Sequence, residues 1–196
     1  ASLVEGAAST SSEELAGRVR ALEATLHALS AAAKPLGRHQ GCAPLSEALS
    51  QLIPPTAELS KSFMASGIGL GRGLLCALLI WIGSLATWLG GPEREPIVAC
   101  VLPVVLASLD VSEEERTGVW GLRSKQEHAG AVAIMKLCAA APAAVLAACS
   151  LDQILEALHA SAGRTSDVLS GLSSRSSALL LVAAADLVTH ASSVEH

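Results

Sequence analysis

A chain of 196 residues holds one domain, or a small domain with an appended segment, and its net charge of −5 comes with no Lys/Arg cluster, which weighs against a protein that reads nucleic acid through phosphates. Hydrophobic residues reach 51% and charged residues only 16%, well under the usual quarter, and the mean hydropathy of +0.50 turns the reading towards a membrane before any motif is met. The apolar set is mostly Ala, Leu and Val, with no Tyr and no Asn, and Arg outnumbers Lys; this bias fits a GC-rich gene and means that no single alanine should be given a packing role on sequence alone.

Residues 1–11 are small and polar and read as a loose lead-in; a start at Ala1-Ser2-Leu3 fits removal of Met, cleavage of a targeting segment or a trimmed chain alike. Ser11 and Glu14 have the spacing of a capping box, and Leu15, Val19, Leu22, Leu26, Leu29 and Ala33 follow at alternating four- and three-residue steps. That seam pairs with another helix, either of this chain or of a partner, while Arg18, Arg20, Glu23 and His27 lie on the other faces. Lys34-Pro35-Leu36-Gly37 is expected to end the helix, and a short helix with Leu45, Leu49, Leu52 and Ile53 on one face is expected to stop at Pro54-Pro55, with Thr56 capping the next.

Gly67, Gly69, Gly71 and Gly73 alternate just before the most apolar stretch, Gly73–Leu89. They match neither the dinucleotide-binding nor the P-loop pattern, so they read as small residues that let another backbone approach. From Gly67 to Gly90 a straight helix covers about 36 Å, enough to cross a bilayer. Leu79, Trp81 and Gly83 fall within it, and Trp88 sits near its end, where an aromatic belt would lie. Lys61 and Arg72 precede the span and Glu93, Arg94 and Glu95 follow it, which orients the N-terminal side inward.

Ile97–Leu109 is apolar but too short to span and contains Pro103. Beyond it, capping boxes at Ser112–Glu115, Ser124–Glu127 and Ser150–Gln153, with Pro142 at a helix start, predict a run of short helices. Ala129–Cys149 is interrupted by Lys136 and Pro142, and Ala178–Val188 is short and holds Asp186, so neither is expected to span. No stretch alternates with period two for long enough to be a strand.

The expected fold is therefore all-α: amphipathic N-terminal helices over residues 1–55, one transmembrane helix within 56–91, a short proline-containing helix in 92–111 and a helical bundle-like region from 112 to 196. No catalytic motif is found. The five cysteines show no Cys-x-x-Cys, the six histidines show no metal spacing, and Glu156-x-x-His159 has no second copy, so neither metal nor cofactor is assigned. The first functional expectation is a non-catalytic, membrane-anchored accessory subunit of a larger assembly in a mitochondrial inner or plastid membrane, with other protein subunits and the lipid bilayer as partners and no small-molecule substrate. The Gly67–Trp88 residues above would form the span and its packing face, and Leu15, Val19, Leu22, Leu26 and Leu29 the partner-helix face. The alternative is a soluble α-helical repeat or bundle scaffold mediating protein–protein contacts, with Gly73–Leu89 as a helix buried on all sides.

Overall fold

The computed structural model describes residues 12–38, 43–65, 71–91, 93–109, 120–156 and 171–194, and among these every regular element is a helix. In chain order they are α1 (Ser12–Arg38), α2 (Ala43–Ala65), α3 (Gly71–Leu89), α4 (Glu95–Ala107), α5 (Trp120–Ala140), α6 (Pro142–Ala148), α7 (151–156) and α8 (Gly171–Val194).

The helices form two rows. In the first, α1 packs on α3, α3 on α5, and α5 on α8; in the second, α2 packs on α4, and α4 on α6. Close approaches give the direction of the first row. Gly83 lies against Ala133 and Gly90 against Ala140, each pair 50 residues apart, so α3 and α5 run parallel. Glu23 reaches Gly73, again 50 residues on, and Leu26 and Ala33 stay buried further along α1; only a parallel α1 keeps them over α3. The chain thus climbs in the first row, returns through the second and climbs again.

Small residues permit this spacing. Ala33, Gly83, Ala133 and Ala183 are all buried and stand 50 positions apart, one on each helix of the first row. Any Cβ at Gly83 would come within 3.4 Å of the Ala133 Cα, and one at Gly90 would overlap the Ala140 carbonyl. Around these contacts Leu74, Leu75, Leu78, Leu79, Trp81, Ile82 and Leu85 of α3 are fully buried, and Ile134 and Leu137 meet them from α5.

Several boundaries differ from those expected. α1 continues through Pro35 to Arg38, and α2 passes through Pro54-Pro55, so a division at residue 55 falls inside one helix. Two prolines remove two helical donors, but Ile53 before them and Ala57 after them lie on one buried stripe, and that packing holds the helix together. Thr56 is consequently no cap; its hydroxyl donates to the Leu52 carbonyl at 2.7 Å. Ser124 is likewise interior, because α5 already begins at Trp120. The boxes at Ser11 and at Ser112–Glu115 lie outside the described residues. The box at Ser150 is formed: the Gln153 amide donates to Ser150 Oγ and the Ser150 amide to Gln153 Oε1, both at 3.3 Å. Pro142 occupies the first turn of α6 as expected.

Two helices, not one, are long and apolar enough to cross a membrane: Arg72–Leu89 within α3 and Ser176–Ser193 within α8. α8 exceeds the eleven residues expected because its polar residues stay helical; Thr189, Ser192 and Ser193 donate to the carbonyls of Ala185, Val188 and His190. α5 and α6 also pass as a pair, but Pro142 bends them by 110°.

Glycine substitutions test the stack. Gly90→Ala should cost about 1–3 kcal/mol through overpacking against Ala140, whereas Gly17→Ala, with nothing within 4 Å, should gain about 0.5–1 kcal/mol from helix propensity. Urea unfolding followed by circular dichroism measures both.

Candidate interaction surface

The residues expected to form a span form a packing face. Gly71 opens α3, and Gly67 and Gly69 lie outside the described residues. Gly73 leaves room for the Glu23 carboxylate, whose Oε2 would stand 3.0 Å from any Cβ there. Leu79 and Trp81 are fully buried. Trp88 is also buried, at 5% exposure, and the Arg94 guanidinium stacks on its ring, 4.4 Å from the centroid. The turn that carries Arg94 back over Trp88 holds Glu93 at φ 69°.

The seam expected on α1 exists and is occupied within the chain. Val19, Leu26 and Ala33 are buried, and Leu22 and Leu29 pack against the core on α3; the Leu15 side chain lies outside the described residues. Of the two occupants considered for this face, the chain's own helix fills it.

No group of three or more His, Cys, Asp or Glu capable of holding a metal is present among the described residues. His159, half of the Glu156-x-x-His159 pair, falls outside them. His128 is half-buried, and its Nδ1 has no hydrogen-bond partner, but no cluster gathers round it. Cys138 is buried between α5 and α8; desolvation and then the Asp186 carboxylate push its thiol up to about 12. Such a group is inert as a nucleophile near neutral pH. Burial also raises Cys76, with Glu23 adding to it and Lys125 opposing it.

What remains available is the outside of the stack, and its faces differ in chemistry. α3 shows solvent one narrow stripe, Arg72, Cys76, Ile80, Ser84 and Thr87, of which only Ile80 is a large apolar residue. α2 exposes Leu52 and Leu59 beside Glu58 and its ion-pair partner Lys61. The outward face of α8 is the most apolar: Leu181 is 67% exposed, Val182 48% and Val188 44%. The chain matches no protein-family model and is significantly similar to no curated protein and to no solved structure.

The 50-residue offset that relates α1 to α3 and α3 to α5 is not legible in the sequence, where its trace is the small residue at positions 33, 83 and 133.

The raised Cys138 thiol makes stability fall in alkali. Below pH 9 both folded and unfolded chains hold that proton; above the ordinary thiol value of 9.0 the unfolded thiol ionises first, and the folded one follows only near 12. Stability should therefore decline as pH rises from about 9 towards 12, and Cys138→Ala should lessen the decline. Urea midpoints across that range check it.

Proposed function

We propose that this protein is a non-catalytic α-helical scaffold that works by presenting the outer faces of a helix-pair stack to other proteins. The observation that carries this reading is the environment of α3. Of its most apolar window, Arg72–Leu89, 67% is buried inside the chain. A helix apolar on nearly every side needs cover, and here α1 and α5 provide it from the two flanks. Its remaining stripe carries Arg72, Ser84 and Thr87, groups suited to water.

The surrounding helices support the same reading. α1 lies along α3, and its exposed residues include Glu14, paired with Arg18 at 2.8 Å, together with Arg20 and His27. Were α3 to cross a bilayer with α1 attached, His27, level with Ala77 at the 50-residue offset, would be drawn into lipid, while Glu14, Arg18 and Arg20 lie beyond the start of α3. Lys136, exposed on α5 with its aliphatic chain over Gly83, stands level with Ala86 near the end of the same window. Membrane anchoring draws its support from α8, where only 22% of an equally long apolar window is buried.

Two neighbouring substitutions distinguish these environments. Leu79 is fully buried and Ile80 is 39% exposed. In a soluble stack, Leu79→Arg should abolish the cooperative thermal transition, whereas Ile80→Arg should shift stability by less than about 0.5 kcal/mol. In a bilayer both sit near mid-span, and both should impair insertion. The wild-type chain should also appear in the alkaline carbonate supernatant and remain monodisperse without detergent. Retention in the membrane pellet, with Ile80→Arg as damaging as Leu79→Arg, would overturn the scaffold reading.

A further inference from the structure

α8 meets its surroundings differently from the other long surface helices. Its inner line, Ser176, Leu180, Ala183 and Leu187, is buried, and the helix packs on α5 and α6. Its outer side exposes Ala178, Leu181, Val182, Ala185 and Val188. From Ser176 to Ser193 the one carboxylate is Asp186, and it is half-buried, close enough to Cys138 of α5 to act on its thiol. The exposed hydroxyls of Thr189, Ser192 and Ser193 are engaged by the helix itself, donating to the Ala185, Val188 and His190 carbonyls at 2.7–2.8 Å. By contrast α1, α2 and α5 carry Arg18, Glu58 and Lys136 outward.

We infer that α8 lays its outer side in the boundary between headgroups and acyl chains of a lipid bilayer, its axis along the membrane surface. This rests on the scaffold reading, in which α3 stays inside the protein, and adds a surface on which the scaffold sits. Three features argue for lipid. The Ser176–Ser193 window is long and apolar enough to cross a membrane, yet only 22% of it is buried inside the chain. Its polar groups are arranged as lipid requires, with the carboxylate turned in and the hydroxyls bonded within the helix. A protein partner is ordinarily met by a polar rim making about one hydrogen bond per 100–200 Å², and this sector offers no charge or amide to make one. Finally, α5 packs along α8 and exposes Lys125 and Lys136, which would have to enter lipid if α8 crossed. Contact is thereby confined to the outer side, as for an amphipathic helix lying in the interface.

No basic residue lies in the exposed sector, and the chain carries a net charge of −5. The chemistry recognised is therefore the acyl boundary of a neutral surface and not a cluster of anionic headgroups. Leu181, Val182 and Val188 are only partly exposed and make a small apolar area, so half-binding should need on the order of 1 mM lipid.

Vesicle flotation provides the test. The full chain, mixed with phosphatidylcholine vesicles at up to about 10 mM lipid, well above the expected midpoint, should float with them equally in low and high salt. Replacing part of the phosphatidylcholine by phosphatidylglycerol should not raise the bound fraction. Leu181→Glu and the milder Val188→Gln should each weaken binding, the first by about tenfold. Leu52→Arg, at an apolar position on α2 that is 46% exposed, should leave it unchanged, and circular dichroism should show all three variants folded. A wild-type chain that stays at the bottom of the gradient would overturn the inference while leaving the scaffold reading standing, since that reading is decided by Leu79→Arg against Ile80→Arg. So would binding that needs phosphatidylglycerol and is lost in salt, the sign of headgroup charge, or an equal loss with Leu52→Arg. Wild-type self-association without lipid that Leu181→Glu abolishes would also overturn it, as the sign that a second copy covers this face.

Discussion

Everything in this fold depends on how closely the helices of the first row approach one another. α3 carries too much apolar surface to face water on one flank, and a single neighbour would leave half of it uncovered. The structure places α1 on one side and α5 on the other, and the small residues at Gly83, Ala133 and Gly90 bring the α5 backbone near enough to exclude water. Each such approach converts backbone proximity into dispersion contact along the helices, and no polar group needs to be buried to gain it. The second row can then be slighter: α4 has 13 residues and α6 only 7, against 19–27 in the first. α2, with 23, is the exception in that row.

Hydropathy alone could not say what surrounds α3, because a helix buried in protein and a helix buried in lipid carry the same side chains. The distinction lies in the residues that stay outside. Ile80 and Thr87 are the exposed residues of α3, with Ser84 partly so, and Ser84 turns its hydroxyl back to the Ile80 carbonyl at 2.8 Å, a bond that would serve in either medium. The neighbours are more informative, because α1 and α5 bring His27 and Lys136 to the surface beside it, level with Ala77 and Ala86. A span must be judged with the helices packed on it, and a sliding window along the chain cannot see them.

Local signals were legible where short-range chemistry decides. The α1 seam from Val19 to Ala33, the reciprocal cap at Ser150 and Gln153 and the proline at the start of α6 all follow from spacing of a few residues. The signals that misled were those in which tertiary contact outweighs local preference. Pro54 and Pro55 break a helix in isolation, yet Ile53 and Ala57 are held in one buried stripe across them. Arg94 reads as part of a polar loop, and only the fold brings its guanidinium onto the Trp88 ring. The length of α8 was missed for a related reason: its serines and threonine bond to carbonyls one turn back and continue the helix past the apolar run.

The two ends of the row follow from the same packing rule. A terminal helix that is meant to end a stack should turn a polar face outward. α1 does so only at its margins, with Arg18 and Arg20, and keeps Gly and Ala along its centre. α8 does not do so at all over Leu181–Val188, where Asp186 is half-buried and the other exposed residues are Leu181, Val182, Ala185 and Val188. Selection for solubility alone would remove such a face, since a charge at Leu181 would cost the fold little at 67% exposure. Its composition makes sense if something apolar covers it, since only 22% of the Ser176–Ser193 window is buried inside the chain.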